Sequence, residues 1–272
     1  MSVRCIYCHH MCELEPGKTG YCGTRMLRNG QSVSLNYGEI TSLALDPIEK
    51  KPLALFHSGS YILSLGSWGC NMRCPWCQNE SISRDRVRSV SVTPEEIVQR
   101  ALELRPQGNI GIAYTYNEPL ISYEFIQDTA AAAHEAGLKN VLVTNGMGTP
   151  ELLSELLEHI DALNIDLKTI VPEQYERIGG DLDTVLENIE EASYCAHVEV
   201  TTLVVPGFND NPDEMAKLAR TLAEIDPEIP LHVTRFFPAA EMRTTPPTPV
   251  QTVYRLADIA RKYLRYVFVG NC

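Results

Sequence analysis

The sequence predicts an α/β fold: an open, partial (β/α)6 barrel preceded by a small cysteine-rich, metal-binding module. Three observations carry this. After residue 60, short runs rich in Val, Ile, Leu and Tyr alternate with longer amphipathic runs. Repeated strand–helix units of this kind imply a parallel sheet. Six or so units in about 210 residues fall short of the ~250 that a complete eight-stranded barrel takes. Before residue 60 the chain has little period and is punctuated by cysteine and glycine. The expected organisation is a module and lead-in over 1–60 and the barrel over 61–272. A doubly wound open sheet is the alternative architecture.

Strands are expected at 61–66, 110–114, 140–144, 162–166, 197–205, 231–235 and 266–269. Helices are expected near 94–105, 120–136, 150–159, 181–194, 212–225 and 248–264. Thr93-Pro94-Glu95-Glu96 reads as an N-cap, a first-turn proline and acids on the helix dipole. Asn211-Pro212-Asp213-Glu214 repeats that device, and Gly137 stands where the second helix should stop. The Thr/Pro tract at 244–249 reads as a loop.

The 272 residues carry a net charge of −12, which argues against a broad surface for nucleic acid. No run of ~18 apolar residues is present, so no membrane span is expected. Met1-Ser-Val-Arg-Cys5 lacks the apolar stretch of a signal peptide, and a cytoplasmic location is the expectation. In that compartment the nine cysteines read as metal ligands before disulfides. A monomer is the default expectation.

Cys70-Asn-Met-Arg-Cys74-Pro-Trp-Cys77 follows directly on the first barrel strand. A 4Fe–4S cluster needs four thiolates to be closed. A loop that offers three leaves one iron with an open position, where chemistry can occur. This spacing, with an aromatic residue before the third cysteine, resembles the radical S-adenosylmethionine (SAM) superfamily. That resemblance implies SAM at the open iron and reductive cleavage to a 5′-deoxyadenosyl radical, with a reductant such as flavodoxin or ferredoxin.

In parallel α/β folds the chemistry gathers at the C-terminal ends of the strands. Here those ends carry Tyr116-Asn-Glu-Pro119, Thr144-Asn-Gly146, Asp166-Leu-Lys168, Val205-Pro-Gly-Phe-Asn-Asp210 and Arg235-Phe-Phe-Pro238. Each alone is ordinary turn chemistry; together on one rim they read as a site. For SAM, Glu118 is expected to accept from the α-ammonium, with backbone near Asn117 at the same end. Lys168 is expected to face the carboxylate. Asn145 and Asp166 would position the ribose or carboxylate. Trp76 would pack near the adenine or shield the cluster. Arg73 would offset the cluster charge or be solvated.

With Asp46-Pro-Ile-Glu-Lys-Lys-Pro52 and Leu55-Phe-His-Ser-Gly-Ser60, these motifs make nearly the whole chain similar to the pyruvate formate-lyase activating enzyme group. Within that group it most resembles the AmmeMemoRadiSam-system branch. The resemblance implies a cluster on Cys70, Cys74 and Cys77, and abstraction of a glycine hydrogen from a partner glycyl radical enzyme. Radical modification of a small molecule or partner peptide is the alternative. A non-catalytic iron–sulfur or zinc scaffold is the second. Val143 stands where the activating enzymes carry an Asp beside a monovalent cation. No His follows the sixth strand in Arg235-Phe-Phe-Pro-Ala-Ala-Glu241.

Cys5, Cys8, Cys12 and Cys22 offer four thiolates on a compact segment, suited to zinc or a second 4Fe–4S cluster. Cys195 reads as a buried core thiol and Lys50-Lys51 as a solvated pair. His232 lies on a strand near the rim.

Overall fold

The computed structural model describes residues 2–272. Its centre is one eight-stranded sheet. In chain order the strands are β1 (Ser42–Pro47), β2 (Tyr61–Gly66), β3 (Asn109–Tyr114), β4 (Lys139–Thr144), β5 (Ala162–Asp166), β6 (His197–Val204), β7 (Leu231–Arg235) and β8 (Val267–Gly270). They lie side by side in that order. From β2 onward every neighbouring pair is parallel, and β1 closes one edge antiparallel to β2. The sheet thus reaches back to Ser42, inside the lead-in.

One long helix crosses between each pair of parallel strands: α1 (Pro94–Glu103), α2 (Tyr123–Glu135), α3 (Pro150–Leu157), α4 (Leu182–Cys195), α5 (Pro212–Ile225) and α6 (Val250–Ala260), with short extra helical turns at Glu80–Ser83 and Pro172–Arg177. This is the expected six-unit barrel, open between β8 and β1. The starts follow from the sequence. Thr93 and Glu96 form a reciprocal capping box. Asn211 accepts from the Asp213 N–H at 2.8 Å. Gly137, at φ +68°, ends α2 with its N–H on the His134 carbonyl.

Side chains alternate across the strands. Leu63, Ile112, Leu142 and Leu163 join the main core with the helices. Ile62, Ala113, Val141 and Ala162 point the other way and pack with Ile48 and Leu53 from the β1–β2 connection. That second cluster plugs the barrel interior at the N-terminal ends of its strands. The polar residues Thr115, Asp166, Thr201 and Thr234 line the cavity above it. Two close approaches fix the register. A Cβ on Gly111 would sit 1.8 Å from the Lys139 carbonyl oxygen. Between Tyr61 and Leu63 the register slips, and Asn109 Oδ1 takes the Leu63 N–H at 2.8 Å.

The N-terminal segment is built from short antiparallel pieces, Val3–Arg4 with Glu13–Leu14 and Arg25–Arg28 with Gln31–Ser34. Its main anchor is Arg25, 1% exposed, which grips Glu124 of α2 through two 2.6 Å bonds and reaches the Ile121 carbonyl at 3.1 Å. Its guanidinium also lies 3.4 Å from the centre of the Tyr7 ring.

Two expectations fail here. Cys195 is exposed, because it ends α4 past the buried face that runs through Val185, Ile189 and Ala192. Lys50 is solvated but Lys51 is only 3% exposed, drawn inside by a 3.0 Å pair with Asp46. No helix among the described residues is long and apolar enough to cross a membrane.

Candidate active site

The C-terminal ends of the strands surround a cavity of about 580 Å³. Cys70, Cys74, Cys77, Trp76, Asn117, Glu118, Asn145, Asp166 and Lys168 all line it. The sequence spreads these residues over 99 positions; the parallel sheet brings them to one rim.

The cysteine loop leaves β2 through Gly66 and Gly69. A Cβ on Gly66 would lie 2.8 Å from the Thr115 carbonyl oxygen, and Gly69 has φ +90°. Asn117 braces the loop from outside: its Oδ1 accepts from Ser67 N at 2.8 Å and its Nδ2 donates to the Gly69 carbonyl at 3.2 Å. The side-chain groups of Asn117 are thereby committed to the loop. Arg73 donates to the carbonyls of Cys70 and Met72 at 2.7 and 2.9 Å and to that of Tyr21. Its part is to hold the loop's shape.

The three sulfurs sit in different settings. Burial, with Glu118 nearby, pushes the Cys70 thiol well up, and burial pushes Cys74 up to about 11. Stable thiolates there need added positive charge. Met72 N donates to Cys70 Sγ at 3.4 Å, and Ser83 Oγ lies 3.5 Å from Cys77 Sγ. Among the described residues no three His, Cys, Asp or Glu side chains are arranged to grip a single metal ion. Three soft thiols facing one cavity suit the thiolate ligation of an iron–sulfur cluster.

Glu118 is buried and accepts from Leu120 N (3.0 Å), Thr144 Oγ1 (2.7 Å) and Asn145 N (2.8 Å). Burial outweighs these bonds and pushes its carboxyl up to about 7. A cation beside it would restore the charged form. Asn145 Nδ2 donates to Asn71 Oδ1 at 2.8 Å and lies 3.8 Å from Cys70 Sγ. Lys168 pairs with Asp166 at 2.9 Å. Although burial works against its charge, Asp166 and Cys74 raise the Lys168 ammonium above its ordinary range. Asn209 holds the Lys168 carbonyl at 2.7 Å. Trp76 is buried, its ring 4.6 Å from that of Phe208.

Further residues complete the cavity. Lys51 lies over the Tyr116 ring at 4.7 Å, and Tyr116 OH donates to Asp46 at 2.8 Å. Burial opposes ionisation of Asp46, yet bonds from Lys51 and Tyr116 hold it at about 2. His232 lines the far wall and bonds to Glu199 at 2.6 Å. Only the period-two alternation along β7 hints that His232 points inward; nothing local marks Lys51.

The Radical SAM superfamily model matches residues 67–222. The chain therefore belongs to the radical SAM superfamily, whose members carry out radical chemistry with a [4Fe–4S] cluster and SAM. It is 40% identical over 275 residues to an uncharacterized protein of Methanocaldococcus jannaschii, covering 99% of this chain and 81% of that one. It is 26% identical over 167 residues to the pyruvate formate-lyase-activating enzyme of Clostridium pasteurianum, covering 58% of this chain and 67% of that enzyme. Among solved structures, a domain of the pyruvate-formate lyase-activating enzyme from Bacteroides vulgatus superposes with TM-score 0.51 at 19% identity. It covers 59% of this chain and 99% of that domain. Streptococcus suis SuiB bound to S-adenosylmethionine gives TM-score 0.61 at 12% identity, over 75% of this chain and 48% of SuiB. Both likenesses are likenesses of fold.

Proposed function

We propose that this protein cleaves SAM reductively in the cavity at the strand ends and uses the resulting radical to take a hydrogen atom from a substrate. The observation that carries this reading is the convergence of Cys70, Cys74 and Cys77 with Glu118, Asn145, Asp166 and Lys168 on one cavity. Cys70, Cys74 and Cys77 would hold a [4Fe–4S] cluster, which would supply the electron for reductive cleavage of the sulfonium carbon–sulfur bond. The chain's own residues hold the co-substrate. Glu118 meets the α-ammonium, which keeps its carboxyl ionised. Lys168, screened on one side by Asp166, meets the carboxylate. Asn145 bridges that end to the cysteine loop through Asn71. Trp76, backed by Phe208, shields one side of the pocket from water.

The likeness to pyruvate formate-lyase-activating enzymes supports a protein glycine as hydrogen donor, with a flavodoxin- or ferredoxin-type reductant. A second reading has its own observation. The cavity runs past the cysteines to Lys51, His232 and Thr201, whose hydroxyl is buried without a partner. A polar small molecule or a peptide side chain fits such lining as well as a glycine loop does. In both readings Cys5, Cys8, Cys12 and Cys22 form a second metal centre.

The test is anaerobic reconstitution with iron and sulfide, reduction with dithionite and chromatography of 5′-deoxyadenosine. Product that disappears in Cys74→Ala supports the reading; a loaded protein that never binds SAM sinks it. Deuterium passing from a glycine-labelled partner into 5′-deoxyadenosine selects the activase reading.

A further inference from the structure

The cavity extends past the end that faces the cysteine loop, and its far wall is built as one row. Asp166 of β5, Thr201 of β6 and His232 of β7 are register partners on neighbouring parallel strands, and Phe268 of β8 ends the row. The first three line the cavity. Strands lie ~4.8 Å apart, so His232 stands two spacings, ~10 Å, from Asp166 along the row. Thr201 sits between them.

His232 is held in one tautomer. Its Nε2 lies 2.6 Å from a carboxylate oxygen of Glu199, a side chain with no exposed surface. That carboxylate also takes the N–H groups of Ala54 and Leu55 at 2.9 and 2.8 Å, and it acts as an acceptor only. Nε2 therefore carries a proton, and in the neutral ring Nδ1 is left as an acceptor. The bond to Glu199 is the one the ring makes among the described residues. Phe268 stacks on it at 5.2 Å and 26°, which fixes the plane of the ring.

Thr201 supplies the second open group. The residue is 7% exposed, and its hydroxyl is buried without a partner. Other buried threonines nearby are satisfied. Thr202 donates to the Leu167 carbonyl at 2.8 Å and Thr248 to that of Val204 at 2.6 Å. Burying an unbonded hydroxyl is unfavourable, and such an exception in a cavity wall points to a bound group.

The chemistry of that group follows from what is already matched. Lys51 pairs with Asp46 at 3.0 Å, Lys168 with Asp166 at 2.9 Å and His232 with Glu199. Glu49 and Lys50 are exposed neighbours of opposite sign. A carboxylate or phosphate would meet the Nδ1 lone pair. An ammonium would leave the Thr201 proton unused and bring a charge that nothing here balances. A neutral hydroxyl satisfies both groups, donating to Nδ1 and accepting from Thr201. We propose that Thr201 and His232, oriented by Glu199, form a subsite for a hydroxyl group of a neutral small-molecule substrate. The assignment rests on the small-molecule reading of the radical chemistry and names the group that substrate presents.

The probe is glycerol, titrated by saturation-transfer difference NMR against the reconstituted full chain with SAM and without reductant. Acetate, methylammonium and N-acetylglycinamide are the comparison probes. Glycerol should bind best of the four, Thr201→Val should weaken it ~5-fold or more, and Thr201→Ser should keep it. Because the Thr201 hydroxyl bonds to nothing in the folded chain, Thr201→Val should melt no lower than the wild type. His232→Gln, whose amide can still donate to Glu199, should weaken glycerol as well; should it not fold, the Thr201 pair decides. Equal glycerol affinity in the wild type and Thr201→Val overturns the inference. So does tighter binding of any comparison probe, or a Thr201→Val protein that melts well below the wild type. Dithionite is then added to the wild type and 5′-deoxyadenosine is measured. Glycerol binding that depends on Thr201, without 5′-deoxyadenosine, keeps the subsite and removes the radical reading. 5′-Deoxyadenosine without that dependence removes the subsite alone.

Discussion

Replacing Glu199 by Ala removes one acceptor that serves four donors inside the barrel. The carboxylate is fully buried. It accepts from the N–H groups of Ala54 and Leu55 at 2.9 and 2.8 Å, and from His197 and His232 at 2.9 and 2.6 Å. The first two pin the loop after Lys51 that floors the cavity; the last fixes His232 in its wall. An unpaired buried donor costs ~1–3 kcal/mol. The two backbone groups cannot turn away, whereas His197 is 30% exposed and can reach water. The total should be ~3–5 kcal/mol, the cost of breaking a buried ion pair. At ~2–4 °C per kcal/mol for a chain of this size, the melting temperature should drop by about 10 °C. There is also a pH signature. Burial opposes the Glu199 charge, but the two histidines and two N–H groups hold its carboxyl down from 4.5 to about 2. Between those values the unfolded chain binds the extra proton, so stability is full above 4.5 and is lost as pH falls toward 2. Glu199→Ala should lack that part of the acid loss. Circular dichroism melts of both proteins at neutral and acid pH measure this. A variant that melts within ~2 °C of the wild type, or loses stability in acid just as steeply, refutes the reasoning.

Further outcomes are expected. SAM affinity, by equilibrium dialysis, should rise as pH climbs through about 7, where the Glu118 carboxyl ionises; Glu118→Gln should flatten the profile and weaken binding by ~10-fold or more. The same carboxyl acts on the protein without SAM in the opposite sense. Its folded value is raised, so its contribution to stability declines as pH rises from 4.5 to about 7. Arg25→Met should cost ~1–3 kcal/mol in urea unfolding, because Glu124 loses its bidentate partner but, at 34% exposed, can still reach water. Gly111→Ala should abolish soluble expression or lower the melting temperature by more than ~10 °C, since its Cβ would overlap the Lys139 carbonyl on the paired strand. Thr93→Ala should cost only ~1 kcal/mol, the worth of its capping box.

The sequence by itself determined the strand–helix rhythm, because apolar periodicity and capping residues act within a few positions of one another. Thr93, Pro94 and Glu96 fix the start of α1 locally, as Gly137 fixes the end of α2. The cysteine loop was equally legible, since its three cysteines span eight residues. The meeting of Glu118, Asn145 and Lys168 followed once a parallel sheet was inferred, because such a sheet gathers strand ends on one rim. Lys51 was beyond local reading. Its burial depends on Asp46 five residues back and on Tyr116, which reaches it only through the pairing of β1, β2 and β3. Glu199 and His232 lie on neighbouring strands, and only the β6–β7 register sets them side by side. Cys195 went the other way: a hydrophobic thiol in an apolar neighbourhood, exposed because the helical period had carried it off the buried face. Local signals fix what short-range sterics and hydrogen bonds decide; a buried charge is fixed by partners that only the folded sheet supplies.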